Sequence, residues 1–346
     1  MKIVHVFWSF TIGGAENMLV DLMNLQVKEN EVYLLIINNL FDDDLLKSLN
    51  NKIRIIKLNR KPGQFNPLPY LKLYWFLLKT KPDITHCHNT SLDKIILYKN
   101  SKLVLTVHSM GNKIRKNNNY SRIVAISKAV QNDLINTGIG NTSIIYNGIR
   151  AHDITPKLGF NKNLELICVG RLEHEIKGQD ILLKAFAQLV KEDLALRLTF
   201  VGRGSSKNYL EDLVLSLNLK NKVRFIVLGR ENLYKEINNY DIAIVPSLSE
   251  GFGLSAIEFM SAKVPIIISN AEGLMEVTNG GKFAEVSPMG SIDHLSDSLR
   301  LLINKIKCSE LDINERLNLA SSYVKRNFTI NKMFDNYMKL YKDVII

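Results

Sequence analysis

Glu250 and Glu258 stand eight positions apart in the segment Glu250-Gly-Phe-Gly-Leu-Ser-Ala-Ile-Glu258, shortly after the apolar run Ile242-Ala-Ile-Val-Pro246. Ile242–Val245 reads as a short buried strand, Pro246–Gly253 as a turn-rich loop and Leu254–Ala262 as the opening of a helix. Gly251, Phe252, Gly253 and Leu254 therefore fall where a loop feeds a helix N-terminus. Unpaired N–H groups and a partial positive charge at such an end suit a phosphate. Two glycines let the backbone approach a ligand closely. Glu250 sits on the loop, and Glu258 leans back toward the same end, as helical side chains do. Carboxylates accept hydrogen bonds from hydroxyls, so phosphate donors flanked by two acids fit a sugar nucleotide. The plain alternative is a loop with two solvated acids.

Other strand ends carry polar groups too. Gly170-Arg171 and Lys177-Gly178 bracket the segment after the apolar run Leu164–Val169. One planar fork and one point charge match a diphosphate, although cations on surface loops are common. Gly13-Gly14 ends a turn and opens a helix at Ala15, which could turn N–H groups toward a ligand. Three histidines follow strands: His86, His88 and His108. His86-Cys-His88 hints at a metal but lacks a full ligand set, so no metal is expected. His108 is the better candidate, as a hydrogen-bond donor near a sugar or a developing charge, with a structural cap as its ordinary alternative. Two resemblances to other motifs are discounted. Gly202-Arg-Gly204 lacks the third glycine of a dinucleotide fingerprint, since position 207 is Lys. Asp42-Asp-Asp44 reads as a solvated helix start rather than a metal-binding triplet.

Positioning these groups requires strands alternating with helices, the pattern of parallel sheets built from βαβ units. Strands are expected at 2–7, 31–37, 53–58, 84–87, 103–107, 123–126 and 143–146. A second series follows at 164–169, 197–201, 223–226, 242–245, 266–269 and 283–286. Helices are expected near 15–27, 43–49, 69–80, 128–136, 179–191, 208–217, 233–238, 254–261, 274–278 and 292–302. Residues 151–163 read as a linker, and 309–346 as helical. This gives an N-terminal domain at 1–155 and a C-terminal domain at 156–326, with a final helix at about 327–346 packing back on the first. A ligand would lie between them, at the carboxyl ends of the strands.

At 346 residues the chain exceeds what one core usually fills. Its three cysteines lie far apart without a CxxC, which excludes a disulfide framework and a zinc ribbon and suits a reducing cytosol. Met1-Lys-Ile-Val-His-Val-Phe7 reads as a strand beginning at once, not a signal peptide. Charge is uneven: residues 1–160 hold 21 Lys/Arg against 11 Asp/Glu, and residues 161–346 hold 24 against 23. Pro69–Lys79 mixes aromatic, aliphatic and basic residues inside an acid-free stretch, Leu45–Pro82. Such a surface suits an anionic membrane or an anionic acceptor, and a sheet-covering helix with basic ends is the ordinary reading. No nucleic-acid module is present, so nucleic acid is not an expected partner.

In order and spacing these segments resemble the family 4 glycosyltransferases, retaining enzymes of the GT-B fold. The resemblance runs from Ile12-Gly-Gly-Ala-Glu16 through Pro82–His86, Val124–Ala129, Ile145–Ile149 and Gly170–Gly178. It continues through Val201–Gly204 and Tyr240–Ser247 to the Glu250/Glu258 pair. The implied fold is α/β, two Rossmann-like domains facing each other across a deep cleft. Arg171 and Lys177 would hold the donor diphosphate, Glu258 the ribose hydroxyls, and Glu250 the donor sugar beside the Gly251–Leu254 backbone and Gly170. His108 would sit by the transferred sugar and Gly14 by the phosphates and acceptor. Backbone near Leu228–Arg230 would hold the base, with Arg230 beside it. The resemblance implies a nucleotide-sugar donor, a UDP-sugar, and a saccharide or lipid-linked glycan acceptor. It also implies transfer with retention, no metal or other cofactor, and a cytoplasmic protein peripheral at the inner face of the membrane. The basic N-terminal domain would face the anionic surface there. Two features depart from the family: Arg150 stands where an acid often follows Asn-Gly-Ile, and Ser109–Asn119 carries Lys113, Arg115 and Lys116 near where an acceptor could approach. A sugar-nucleotide epimerase and a non-catalytic binding partner of another transferase stay open as alternatives.

Overall fold

The computed structural model describes residues 1–63, 66–116, 118–192, 195–308 and 310–346, with the side chains of 310–312 left aside. Asn117, within the expected Ser109–Asn119 loop, and Ser309, at the head of the expected C-terminal helical stretch, lie outside the described residues. The chain divides into two compact units, Met1–Gly148 with Ile330–Ile346, and Ile149–Thr329.

Seven strands form the first sheet: β1 (Lys2–Phe7), β2 (Glu31–Asn38), β3 (Arg54–Arg60), β4 (Ile84–Cys87), β5 (Lys102–Val107), β6 (Arg122–Ala125) and β7 (Thr142–Ile144). Their order is β3-β2-β1-β4-β5-β6-β7, and every pairing is parallel. The second sheet contains β8 (Leu164–Val169), β9 (Leu196–Val201), β10 (Val223–Ile226), β11 (Ile242–Val245), β12 (Ile266–Ser269) and β13 (Glu285–Ser287). It is also wholly parallel, in the order β10-β9-β8-β11-β12-β13. Central strands such as Ile242-Ala-Ile-Val245 are apolar at every position because helices cover both faces. In each sheet the order reverses once, between β1 and β4 and between β8 and β11, and ligands bind at the carboxyl ends of such switch points.

Helix faces follow the 3.6-residue period. Gln179–Lys191 buries Leu182, Leu183, Phe186 and Leu189, and Ile292–Cys308 buries Leu295, Leu299, Leu302 and Ile306 against the same core. In the first unit Gly14–Gln26 packs with the C-terminal helix Ile330–Ile345, which buries Met333, Tyr337 and Tyr341. A fully buried side chain of that size contributes roughly 2–3 kcal/mol.

Two expectations are corrected. The division falls at Gly148/Ile149 rather than 155/156, because the expected linker is already bonded into the second unit. Ile149 N–H donates to Phe328 O at 2.9 Å, Thr155 N–H to Tyr234 O at 3.2 Å and Lys157 N–H to Ala262 O at 2.7 Å. The expected helical stretch 309–346 divides into two helices, Glu310–Asn327 and Ile330–Ile345, the second of them being the expected final helix. Between them Phe328 is buried edge-on against Phe252 and Thr329 bridges to Ile149, which stops the first helix. The last strand begins at Glu285, where a carboxylate held by Lys305 (2.9 Å) and Arg316 (2.8 Å) enters the sheet edge.

Candidate active site

β8 and β11 adjoin at the switch point of the second sheet, so the loops after them start from one place. After β8 come Gly170 and Arg171, then a single helical turn, His174–Lys177, where a loop was expected. Gly178 closes that turn at φ 64°, and a Cβ there would collide with the Pro246 carbonyl. Both conditions select glycine. The turn also receives the other loop: Leu248 N–H donates to Ile176 O at 2.8 Å and Ser249 N–H to the same oxygen at 3.3 Å. The two loops are thus fixed to each other through backbone.

On this platform Lys177 Nζ lies 2.6 Å from Glu250 Oε2, with the side chains 19% and 16% exposed. Ser247 Oγ donates to the same oxygen at 3.3 Å. Partial exclusion of water makes this attraction stronger than that of a surface pair. Arg171 is more open, its side chain 62% exposed and its guanidinium 3.3 Å from Glu173. So exposed a pair holds its partners weakly, which leaves Arg171 able to swing to an anion. Its carbonyl is fixed by Gln179 Nε2 at 2.7 Å. Gly202 and Gly204 are the buttress of this loop rather than a nucleotide fingerprint. Side chains there would strike the Gly170 and Leu172 carbonyls, and Leu172 exchanges backbone bonds with Arg203 and Ser206.

Glu258 belongs to the helix Leu254–Ser261, which starts after Gly253 at φ 97°. A Cβ at Gly253 would come 2.6 Å from Leu274 Cδ2. Glu258 accepts a hydrogen bond from Tyr234 Oη at 3.0 Å. Burial, and then the Glu258 charge, raise the Tyr234 pKa far above a free phenol, so the hydroxyl stays a donor. Arg230 opens the helix Arg230–Glu236, earlier than the expected start at 233, and its guanidinium lies 5.3 Å from the Tyr234 ring centroid. Arg150, the departure from the family pattern, is held by Asp153 at 3.0 Å and by Glu231.

The structure therefore places Gly170, Arg171, Lys177, Glu250, Gly251, Phe252, Gly253, Leu254 and Glu258 after the adjoining strands β8 and β11, and joins Lys177 directly to Glu250. Sequence reasoning missed Tyr234 and Gly273. Gly273 donates its N–H to Glu250 O at 3.2 Å, and a side chain there would strike the Glu250–Phe252 backbone. A glycine on the first turn of a helix, Glu272–Val277, was the available signal.

Gly14 and His108 lie in the first unit. The helix starts at Gly14, one residue before the expected position, with Gly13 extended at its cap. His108 follows β5 and is no cap: its Nε2 lies 3.1 Å from His88 Nδ1. His5, His86 and His88 have ring nitrogens within 4.8 Å of one another. All six are engaged, by Gln26, Thr106, Tyr341, His108 and each other, so a cation there would have to displace those bonds. Asp42 is a helix N-cap, accepting from Leu45 N–H at 2.9 Å.

Residues 152–317 match the glycosyl transferases group 1, and residues 12–152 match Glycosyltransferase Family 4. The chain belongs to the family 4 glycosyltransferases. Among relatives of this glycosyltransferase, an uncharacterized glycosyltransferase of Methanocaldococcus jannaschii is 28% identical over 173 residues, 45% of this chain but only 44% of the relative. An N-acetylgalactosaminyltransferase of Campylobacter jejuni, named for a diphospho-undecaprenol-linked acceptor, is 24% identical over 94% of this chain and 96% of its own. The structure of Anabaena HepE with UDP-glucose is similar with a TM-score of 0.81 at 20% identity, over 99% of this chain and 100% of that one. Two parallel-sheet α/β domains of the GT-B fold are thus established for this glycosyltransferase.

Burial lowers the His5 and His108 pKa values to about 4 and takes His86 and His88 well below the ordinary value, with hydrogen bonding to Gln26 opposing the shift at His5. These histidines are neutral in the folded glycosyltransferase and take up protons on unfolding as pH falls below 6.5, a window that for His5 and His108 extends to about 4. Their contribution is complete above pH 6.5 and is lost as pH falls. At pH 5.5 each group is expected to cost about 1 kcal/mol of stability. Thermal unfolding at pH 7.5 and 5.5 tests this: a His5→Asn variant should show a smaller acid-induced drop in Tm than the parent, and an equal drop rejects it.

Proposed function

We propose that this glycosyltransferase moves a sugar from a nucleotide-sugar donor, a UDP-sugar, to a glycan or lipid-linked saccharide. Transfer retains the anomeric configuration and builds a surface polysaccharide such as lipopolysaccharide or capsule. The Lys177–Glu250 pair at the carboxyl ends of β8 and β11 carries the reading. Arg171 and Lys177 take the diphosphate, Glu250 the sugar and Glu258, steadied by Tyr234, the ribose hydroxyls. As the bond from the anomeric carbon to the diphosphate breaks, the sugar gains oxocarbenium character and the leaving phosphate gains charge. Preorganised cations and N–H groups favour that growing charge over the ground state. No metal enters this scheme. His108 and Gly14 serve the sugar and acceptor.

The Anabaena complexes with UDP and UDP-glucose support the donor class, and the Campylobacter relative supports a lipid-linked acceptor. Incubating the protein with UDP-sugars and a lipid-linked saccharide tests the reading through nucleoside diphosphate release and product linkage. Failure to release UDP from any donor, with or without acceptor, rejects it. An altered donor sugar without acceptor would instead mark an epimerase.

Membrane contact is the second part of the proposal, through the helix Leu68–Thr80. It buries Pro69, Leu73 and Leu77 and exposes Leu68 at 58%, Leu71 at 53% and Trp75 at 64%, beside exposed Lys72 and Lys79. Among the described residues no helix is long and apolar enough to cross a membrane. Apolar anchors flanked by lysines suit the interface of an anionic leaflet at its cytoplasmic face. Flotation with vesicles containing phosphatidylglycerol should recover wild type at low salt, and Leu71→Glu/Trp75→Glu should lose it. Equal recovery of both rejects this helix as the anchor.

A further inference from the structure

The buried histidines of the first unit form one hydrogen-bonded chain. Gln26 Oε1 lies 2.7 Å from His5 Nε2, His5 Nδ1 3.0 Å from His88 Nε2, and His88 Nδ1 3.1 Å from His108 Nε2. The far end, His108 Nδ1, is buried and has no hydrogen-bond partner among the described residues. At the near end the Gln26 amide is oriented by the C-terminal helix, its Nε2 donating to Tyr341 Oη at 3.4 Å. Tyr341 Oη lies 2.6 Å from His86 Nδ1, His86 Nε2 2.7 Å from Thr106 Oγ1, and Thr106 Oγ1 2.9 Å from Tyr337 Oη.

Proton placement follows from one end. A carbonyl oxygen only accepts, so His5 Nε2 carries the hydrogen. A neutral imidazole then has a bare Nδ1, so His88 must donate through Nε2. His88 Nδ1 is in turn bare and accepts from His108 Nε2–H. The second arm closes in the same sense: Tyr341 accepts from Gln26 and donates to His86 Nδ1, and His86 Nε2–H donates to Thr106.

We propose that Gln26 is a positioning residue that fixes the tautomer of His108 through His5 and His88, so that His108 offers Nδ1 as a hydrogen-bond acceptor to a hydroxyl of the saccharide. His108 is thus the reverse of the donor expected from its place in the sequence. His5 and His88 transmit this order because each neutral ring has one hydrogen and two partners. Leaving a buried acceptor unmet is costly, so a donating hydroxyl is favoured there and a second acceptor is rejected. The inference rests on the reading that His108 meets the saccharide, but the first arm of its test does not.

That arm is long-range proton–nitrogen correlation on ligand-free protein with 15N-labelled histidine at pH 7.5. His5, His88 and His108 should each show a protonated Nε2 and an unprotonated Nδ1. A protonated Nδ1 on His108 overturns the inference. Gln26→Met keeps the length and removes the amide, and Tyr341→Phe removes only the hydroxyl that orients it. In either variant the His108 signals should move toward a mixture of tautomers, and an unchanged His108 pattern in both overturns the chain. Because these signals are read in folded protein, Tyr341→Phe decides the question if Gln26→Met does not fold. In the second arm kcat should fall roughly ten-fold, the scale of one lost hydrogen bond, with donor KM within about two-fold. Changed tautomers with wild-type kcat would overturn the contact with the saccharide while leaving the chain intact. Failure of UDP release in wild type would instead strike the proposed function.

Discussion

Glu250→Gln is expected to lower kcat for transfer by about 100- to 1000-fold while leaving UDP affinity within about three-fold. The two halves of that expectation come from the geometry of one ion pair. Without donor, Glu250 neutralises Lys177 at 2.6 Å. In the proposed reaction the donor diphosphate supplies the negative charge to Lys177, and Glu250 is released to the sugar. UDP lacks the transferred sugar, so removing the carboxylate leaves its main contacts in place. Lys177→Met removes the cation itself and should weaken UDP binding as well as slow transfer. Both variants should fold, because a pair that keeps some exposure contributes about 1 kcal/mol or somewhat more. Steady-state UDP release, calorimetric UDP binding and Tm on the same preparations separate these effects. Wild-type rates in both variants would remove the pair from the chemistry.

The elements behind this pair were legible because each is local. Ile242–Val245, Leu164–Val169 and Ile266–Ser269 are short apolar runs between turn residues, and Gln179–Lys191 shows a full helical period. The turn His174–Lys177 was not legible, since four residues with one aliphatic side chain have no period to read. Nor was the contact it makes. Lys177 and Glu250 are 73 positions apart, and their meeting depends on β8 lying beside β11. Tyr234 was hidden in the same way, since its partner Glu258 lies on another helix. The histidine chain drew on β1, β4 and two helices from opposite ends of the sequence, while the sequence offered only histidines at strand ends. Its family resemblance supplied roles for single residues, and the structure supplied the groups that hold them.

Asp241→Ala is expected to cost about 3–5 kcal/mol of stability, the penalty for leaving one buried charge without its partner. Asp241 is fully buried, and Lys157 Nζ lies 2.9 Å from its Oδ1, with the lysine side chain 5% exposed. Its carboxylate also accepts from Asn161 N–H at 2.9 Å, Asn161 Nδ2 at 3.0 Å and Glu165 N–H at 2.8 Å. Truncation strands all of these donors together with the ammonium. Lys157→Met should cost less, because three N–H groups continue to hold the carboxylate, and the double variant should cost less than the sum of the two. Urea unfolding measures each term, and a loss below about 1 kcal/mol for Asp241→Ala rejects the account. The position matters to function through register. Asp241 N–H also donates to Glu165 O at 2.7 Å, so this one residue ties the start of β8 to the start of β11. Those strands deliver Lys177 and Glu250 at their other ends. Under conditions where the Asp241 variant is folded it should therefore keep most of its kcat. Glu250→Gln should lose kcat while keeping its stability, so the two substitutions separate holding the switch point together from doing chemistry on it.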